Sequence, residues 1–302
     1  MPATFILEVP ATRYVFVHYH IFKNGGTTIE SILQREFGEG FATLHGPDSN
    51  SILNGGDLSR FLCEHPGISA VSSHHLRYPL PAVPGIALFD CCFLRHPLDR
   101  LHSVYRYLRR IDSPDPLSRR ARLQTPREFL VQTLRESPHL VSDVQVTQLA
   151  SSGAFLRPAN EGDLERATRI FCEAAVPGLV DMFDESLIAA EYFLRPAFPA
   201  LRLEHTPQNV SAAPEPGPRT HKPEDRLVEL WGADLYADLV RVNQFDLELY
   251  HRAQSEVRRR LFLVPGLDDR MADFRTRCAA LAAPVPGGIP ERVGARLQVQ
   301  SL

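Results

Sequence analysis

The sequence predicts an α/β fold in which helices flank a mostly parallel central sheet. Residues 14–19 are rich in β-branched and aromatic side chains, and apolar residues at helical spacing follow the next turn, over 29–37. Residues 85–94 form a nearly continuous apolar run, which is typical of a central strand covered on both faces. Strands that alternate with helices in this way indicate parallel pairing.

The spacing of apolar residues predicts the remaining elements. Further strands are expected at 68–72 and 174–180, with a last short strand at 201–204, while 38–54 and 207–223 are loop-like. Helices are expected at 58–63, from Pro97, from Pro126, and at 141–149, 163–172, 183–193 and 227–261, the last as two helices meeting near 242–243.

Chain length favours one large domain. We expect the 302 residues to form a domain over 1–262 and a peripheral tail over 263–302, where a weak helix at 268–281 precedes a Pro/Gly stretch.

Composition excludes several classes of protein. A hydrophobic fraction of 44% with 23% charged residues is ordinary for a globular protein, and the net charge of −3 does not suggest nucleic-acid binding. No apolar run is long enough for a membrane span, and the first residues lack the features of a signal peptide. The five cysteines form no C-x-x-C pair, so we expect a reducing, cytoplasmic compartment.

The turn after the first strand has the composition of an anion site. Residues 20–28 place Lys23, two glycines and two threonines between a strand and a helix. Glycines allow close approach of the backbone, and the first N–H groups of a helix lack intrahelical partners. The lysine precedes the glycines, whereas the nucleotide-triphosphatase P-loop has it after them, so a standard ATP or GTP loop is disfavoured. An ordinary strand-to-helix turn with a capping threonine is the alternative.

A second motif follows the strand at 85–94. Arg95 leaves the carboxyl end of that strand, where ligands of parallel sheets bind, and Ser103 lies two turns into the next helix. Ser103 has two interpretations, a ligand contact or a hydrogen bond to a carbonyl one turn back. For Arg100 we expect a salt bridge rather than a ligand contact.

Together these motifs resemble the sulfotransferases related to heparan sulfate 2-O-sulfotransferase, which include bacterial members. The stretch His20-Ile21-x-Lys23-x-Gly25-Gly26-Thr27-Thr28 is similar to that family's 5′-phosphosulfate loop. The stretch Leu94-Arg95-x-Pro97-x-x-Arg100-x-x-Ser103-x-Tyr105 is similar to its 3′-phosphate motif. Softer similarities lie at 178–187 and 243–250, so the resemblance covers about 14–255 in the family's order. Phe22, Asn24 and His96 replace the family's usual proline, threonine and aspartate.

The resemblance implies a P-loop-like three-layer fold and transfer of a sulfuryl group from 3′-phosphoadenosine-5′-phosphosulfate (PAPS) to an acceptor hydroxyl. Lys23 would neutralise the leaving bridge oxygen, and Arg95 with Ser103 would hold the 3′-phosphate. No metal is expected. The implied 5′-phosphosulfate loop comprises Lys23, Asn24, Gly25, Gly26, Thr27 and Thr28.

The resemblance also implies a histidine base after a strand. His74 and His75 end the predicted strand at 68–72, and His74 matches the family's spacing better. A histidine of ordinary pKa suits general-base catalysis at neutral pH. One of the two histidines could instead be a capping or packing residue.

Two other functions stay open. A small-molecule kinase would need a Mg²⁺-binding aspartate near the loop, and a non-catalytic nucleotide-binding module would not need Lys23 or His74. The acceptor is expected to be a carbohydrate or small metabolite, and the sequence does not indicate the oligomeric state. Specificity is expected to lie in 38–54, 112–122 and 207–223.

Overall fold

Five parallel strands form the central sheet, which confirms the predicted fold class. The computed structural model describes residues 13–48, 50–150, 157–206 and 223–283. Along the sheet the strands lie in the order β2-β3-β1-β4-β5, so the first strand of the chain is central. The strands are β1 Arg13–Tyr19, β2 Phe41–Thr43, β3 Ala70–Ser73, β4 Ile86–Leu94 and β5 Val176–Leu179.

Helices of the described residues flank this sheet. None of them is long and apolar enough to cross a membrane. They are α1 Gly26–Phe37, α2 Gly55–Glu64, α3 Pro97–Arg110, α4 Pro116–Leu123, α5 Pro126–Glu136, α6 Val144–Ala150, α7 Glu161–Glu173, α8 Phe183–Leu194, α9 Pro223–Trp231, α10 Ala233–Val242, α11 Gln244–Phe262 and α12 Leu267–Ala282.

The register of the sheet brings three strand ends together. Tyr19, the last residue of β1, lies beside Ser73 of β3 and Cys92 of β4. Because all three strands run in the same direction, the segments that follow them leave from one edge of the sheet. This edge therefore carries both predicted motifs and both candidate histidines.

Two hydrophobic clusters hold the helices in place. The larger one surrounds the sheet and includes the fully buried residues Val15, Leu33 and Phe171. The smaller one joins α3, α4, α5, α9 and α10 around the fully buried Trp231. The second cluster fixes α3, the helix that carries Ser103, against the C-terminal helices.

The predictions were wrong for two segments, one expected to be a strand and one expected to be a loop. Residues 201–204 form no strand, because their backbone is bound by side chains instead: Leu203 N–H donates to Glu191, and Arg35 donates to the carbonyls of Arg202 and Glu204. Conversely, β2 lies inside the predicted loop at 38–54. Three residues are too few to show a period, and β2 forms through parallel pairing with β3.

The described part of the predicted tail packs against the rest of the protein. Phe274 of α12 is fully buried within the larger cluster, and Arg277 forms ion pairs with Glu191 and Glu204. This helix is therefore part of the core packing rather than peripheral. The described residues do not include residues 1–12, where no signal peptide was expected, residues 207–222 of the predicted specificity loop, or the segment after 283.

Replacement of Phe274 by alanine is expected to lower the free energy of unfolding by about 3–5 kcal/mol, because it removes a buried aromatic ring and leaves a cavity. Urea unfolding of the full chain measures this. Phe262→Ala is the matched control, since 89% of Phe262 is exposed, and it should change stability by no more than about 0.5 kcal/mol. Equal effects of the two changes would contradict the core position of α12.

Candidate active site

The turn between β1 and α1 has an unusual backbone. Lys23 has φ of 69° and Gly25 has φ of 79°, so a residue with a side chain adopts the left-handed conformation. The Asn24 N–H donates to the Ile21 carbonyl at 3.1 Å, which closes the turn. Such conformations cost free energy and persist where surrounding contacts enforce them.

Steric contacts require glycine at two positions of this turn. A Cβ on Gly26 would lie 1.9 Å from Nε2 of His20, and a Cβ on Gly25 would lie 2.9 Å from the Phe183 ring. The histidine ring therefore occupies the space beside the first residue of α1. The glycines were predicted for close approach to a ligand, and the structure adds close approach to two side chains.

The first turn of α1 presents unused donors. Among the described residues, no acceptor binds the N–H groups of Gly25, Gly26 and Thr27, whereas Thr28 N–H donates to the Gly25 carbonyl at 3.0 Å. The Thr27 side chain is exposed and the Thr28 side chain is buried. Three N–H groups at the positive end of a helix make a site suited to an oxyanion.

Lys23 has no carboxylate partner among the described residues. Its Nζ lies 4.6 Å from the centre of the Tyr107 ring, a cation–π distance. Burial, together with nearby Arg110 and Arg95, lowers the pKa of Lys23. Lys23 and Arg95 thus place positive charge next to the turn that leads to these N–H groups.

Arg95 and Ser103 are placed as the second motif predicts. Arg95 follows β4 directly, and its Nη1 donates to the Lys23 carbonyl at 3.3 Å, so the two motifs are in contact. Ser103 is half-buried on α3, and none of the hydrogen bonds of the described residues uses its hydroxyl. The alternative of a bond to a carbonyl one turn back is therefore absent here.

Asn24 serves the protein rather than an open ligand site. Its side chain is buried, and Nδ2 donates to the Phe93 carbonyl and to Oε1 of Gln145, each at 2.8 Å. Gln145 also accepts from the Arg95 N–H at 3.0 Å and donates to the Arg95 carbonyl at 2.9 Å. One buried amide therefore joins the Lys23 turn to the start of the second motif.

The buried carboxylate of Asp246 holds Gln145 in place. Asp246 of α11 accepts the N–H groups of Gln145 at 3.0 Å and Val146 at 2.7 Å, and thereby caps α6. Arg100 is buried near Asp246, and its Nε donates to the Phe22 carbonyl at 3.1 Å. Burial lowers the pKa of Arg100 to about 10, while Asp246 opposes this shift. Arg100 thus fixes the loop backbone, in place of the expected salt bridge.

The two candidate histidines have different roles in the structure. Nδ1 of His74 lies 2.9 Å from the His20 carbonyl, and since a carbonyl only accepts, Nδ1 carries the proton and Nε2 keeps its lone pair. Nδ1 of His75 instead accepts the Gly46 N–H at 2.8 Å. His75 therefore anchors the segment after β2, and His74 presents an unprotonated nitrogen suited to a base.

The surroundings of His74 favour its neutral form. Its ring lies 3.6 Å, centre to centre, from the ring of His20. Burial, followed by the neighbouring His20, lowers the pKa of His74 to about 3. His74 is therefore neutral at neutral pH, and its pKa lies below the ordinary histidine value that the sequence suggested.

Sequence reasoning missed a buried network behind these histidines. Glu30 of α1 lies 2.9 Å from Nδ1 of His20 and accepts the Ser72 hydroxyl at 3.0 Å, and Ser72 contacts Nδ1 of His18 at 2.9 Å. Burial raises the pKa of Glu30, but the hydrogen bonds and charge of His20 outweigh it, and the result is about 2. The signal in the sequence was the spacing of His18, in β1, and His20, one residue beyond it, which places both rings on the same side of the extended backbone.

The same network contains groups that can bind a metal. Ligand atoms of His20, Glu30 and His74 lie within 4.8 Å of one another. The Nδ1 atoms of both histidines already have oxygen partners at 2.9 Å, so a metal would need the Nε2 atoms or would break these bonds.

Comparison with known proteins leaves the function open. No protein-family profile matches the chain. An uncharacterized protein of Archaeoglobus fulgidus is 27% identical over 250 residues, which cover 80% of this chain and 96% of the archaeal protein. The match therefore covers nearly the whole archaeal protein, and the name of that protein states no activity.

Substitution of Gly26 by alanine is expected to destabilise the protein by about 1–3 kcal/mol, because the new Cβ overlaps the His20 ring and forces the turn to move. Urea unfolding measures the change. Gly67→Ala is the control, since a Cβ there meets no atom within 4 Å. A fully stable Gly26→Ala protein would show that the His20 ring can leave its place freely.

Proposed function

We propose that this protein transfers a sulfuryl group from PAPS to an acceptor hydroxyl. The observation that carries the proposal is the contact between the two motifs: Arg95 donates to the Lys23 carbonyl. Lys23, which has no carboxylate partner among the described residues, lies just before the free N–H groups at the start of α1. A donor with a phosphosulfate and a separate 3′-phosphate needs two neighbouring anion sites, and this arrangement supplies both.

The Lys23 turn would hold the phosphosulfate end of the donor. The free N–H groups of Gly25, Gly26 and Thr27 suit the 5′-phosphate, and Thr28 N–H is already used within the turn. Lys23 would stabilise the negative charge that develops on the bridge oxygen as the bond to sulfur breaks. Arg95 and Ser103 would hold the 3′-phosphate, a group that ATP lacks.

His74 is the proposed base. As the acceptor oxygen attacks sulfur, its proton would pass to Nε2 of His74, and the bond between sulfur and the bridge oxygen would break in line. The products are the sulfated acceptor and adenosine 3′,5′-bisphosphate. The proton on Nδ1 stays hydrogen-bonded to the His20 carbonyl throughout, which keeps the ring in the productive tautomer.

A thermal-shift comparison tests the donor class. Adenosine 3′,5′-bisphosphate should raise the melting temperature, whereas ATP with Mg²⁺ and adenosine 5′-phosphosulfate should raise it less at equal concentration. The Arg95→Ala protein should lose the preference for the ligand with a 3′-phosphate. A larger shift with ATP and Mg²⁺ would overturn the proposal in favour of a kinase. Radiolabelled donor and a set of carbohydrate and metabolite hydroxyls then identify the acceptor.

Lys23→Ala is expected to lower turnover by roughly 10²–10³-fold, the range for loss of one group that stabilises transition-state charge. Initial rates with labelled PAPS measure this, and circular dichroism confirms the fold. Arg60→Ala is the control, because the Arg60 side chain is 54% exposed and lies on α2. Turnover within a few-fold of wild type would remove Lys23 from the transition state.

His74→Ala is expected to lower the rate by roughly 10²–10⁴-fold and to remove the acid limb of the pH profile. The rate should rise with pH because the base must be unprotonated. Since burial and His20 lower the pKa of His74 to about 3, the acid limb of kcat/KM for the donor should lie well below 6.5. The acid limb of kcat should lie at higher pH, because the negative charge of the bound donor would raise the pKa of His74. His75→Ala should keep the limb.

If His75→Ala loses the acid limb of the pH profile and His74→Ala keeps it, His75 is the base instead of His74. A limb unchanged in both variants would show that another group accepts the proton.

A further inference from the structure

Arg77 is a buried guanidinium with unused donors. Only 7% of the residue is exposed. Its Nη1 donates to the His74 carbonyl at 2.7 Å and to the Leu76 carbonyl at 3.0 Å, while Nε is buried with no partner. Within the described part of the chain, Nη2 makes no hydrogen bond, and no carboxylate forms an ion pair with Arg77.

Two other arginines that donate to backbone carbonyls also have a neighbouring carboxylate. Arg100, the other buried arginine of the described residues, lies near the buried Asp246. Arg260 donates to carbonyls at the end of α7 and also pairs with Glu256 at 2.8 Å. For Arg77, burial lowers the pKa to about 10, and no acid of the described residues opposes this shift.

The position of Arg77 next to the proposed base is fixed by the backbone. Its own N–H donates to the Leu53 carbonyl at 2.9 Å, and Leu53 N–H donates to the His75 carbonyl at 2.9 Å. The segment after β3 is thus paired with the segment before α2. The guanidinium is held against the carbonyl of His74, three residues away.

We propose that Arg77 is an oxyanion-binding residue on the acceptor side of the site. A buried cation is costly without an anionic partner, and a carboxylate or sulfate group offers the two oxygens that a guanidinium fork binds best. Nε and Nη2 lie on one edge of the guanidinium and are the two donors left for such a group. The assignment of an acceptor side rests on the proposed function; the anion site itself does not.

The oxyanion has two possible sources. It can be an anionic substituent of the acceptor, such as a carboxylate or sulfate near the reacting hydroxyl, or it can be the sulfuryl group of the donor itself. Adenosine 3′,5′-bisphosphate leaves the sulfuryl position open, whereas PAPS fills it. Binding of inorganic sulfate in the presence of each nucleotide therefore separates the two sources.

Isothermal titration with inorganic sulfate at constant ionic strength tests the proposal. The full-length wild type, Arg77→Gln and the control Arg60→Gln are titrated alone, with adenosine 3′,5′-bisphosphate and with PAPS. We expect Arg77→Gln to bind sulfate at least tenfold more weakly than wild type in the bisphosphate complex, and Arg60→Gln to match wild type. If sulfate still binds in the presence of PAPS, the site belongs to the acceptor. If PAPS abolishes sulfate binding, the site belongs to the sulfuryl group of the donor.

Equal sulfate affinity of wild type and Arg77→Gln in every state would overturn the proposal. If Arg77→Gln does not fold, crystals of the wild type grown with selenate decide: anomalous density within hydrogen-bond distance of Arg77 supports the site, and density only elsewhere refutes it. If neither nucleotide binds but sulfate binding of the free protein depends on Arg77, the proposed sulfotransferase function fails and the oxyanion site stands.

Discussion

The candidate site depends on one buried amide, that of Gln145. It binds the Asn24 side chain of the first turn and both backbone groups of Arg95 in the second motif. The carboxylate of Asp246 holds Gln145 in turn. Buried polar groups are costly when a partner is lost, so these contacts specify one arrangement of three distant segments. The separation of Lys23 and Arg95 is thereby set by Gln145, which lies 50 positions from Arg95 and 121 positions from Asn24.

The sequence predicted those parts of the site that depend on local pattern. The strand, turn and helix around Lys23 show their periods within a few residues, and the parallel-sheet rule places Arg95 at the same edge. Gln145, Glu30 and Asp246 could not be found in this way, because each acts through a partner on another element. The strand wrongly expected at 201–204 has the same explanation, since side chains of α1 and α8 bind its backbone in place of a neighbouring strand.

The glycines of the turn are required for a reason that the sequence does not show, in addition to the one that it does. Close approach to a ligand and close approach to His20 both require a missing side chain at Gly26. The His20 ring that fills this space also binds Glu30 and packs on the ring of His74. The start of α1 and the proposed base are therefore coupled through the imidazole of His20. A side chain added at Gly26 would displace the His20 ring and thereby alter the packing of His74.

In the proposed reaction, the electrostatics of the site would link donor binding to proton transfer. Burial and the neighbouring His20 lower the pKa of His74 to about 3, which makes it a weak base. A bound phosphosulfate would bring negative charge close to the ring and raise this pKa toward the range in which a base works well. By linkage, the same interaction means that protonation of His74 tightens donor binding, so the donor and the proton favour each other. In the proposed reaction the base would then be strongest when the group to be transferred is present, and this coupling needs only a neutral His74 ring beside a cationic turn.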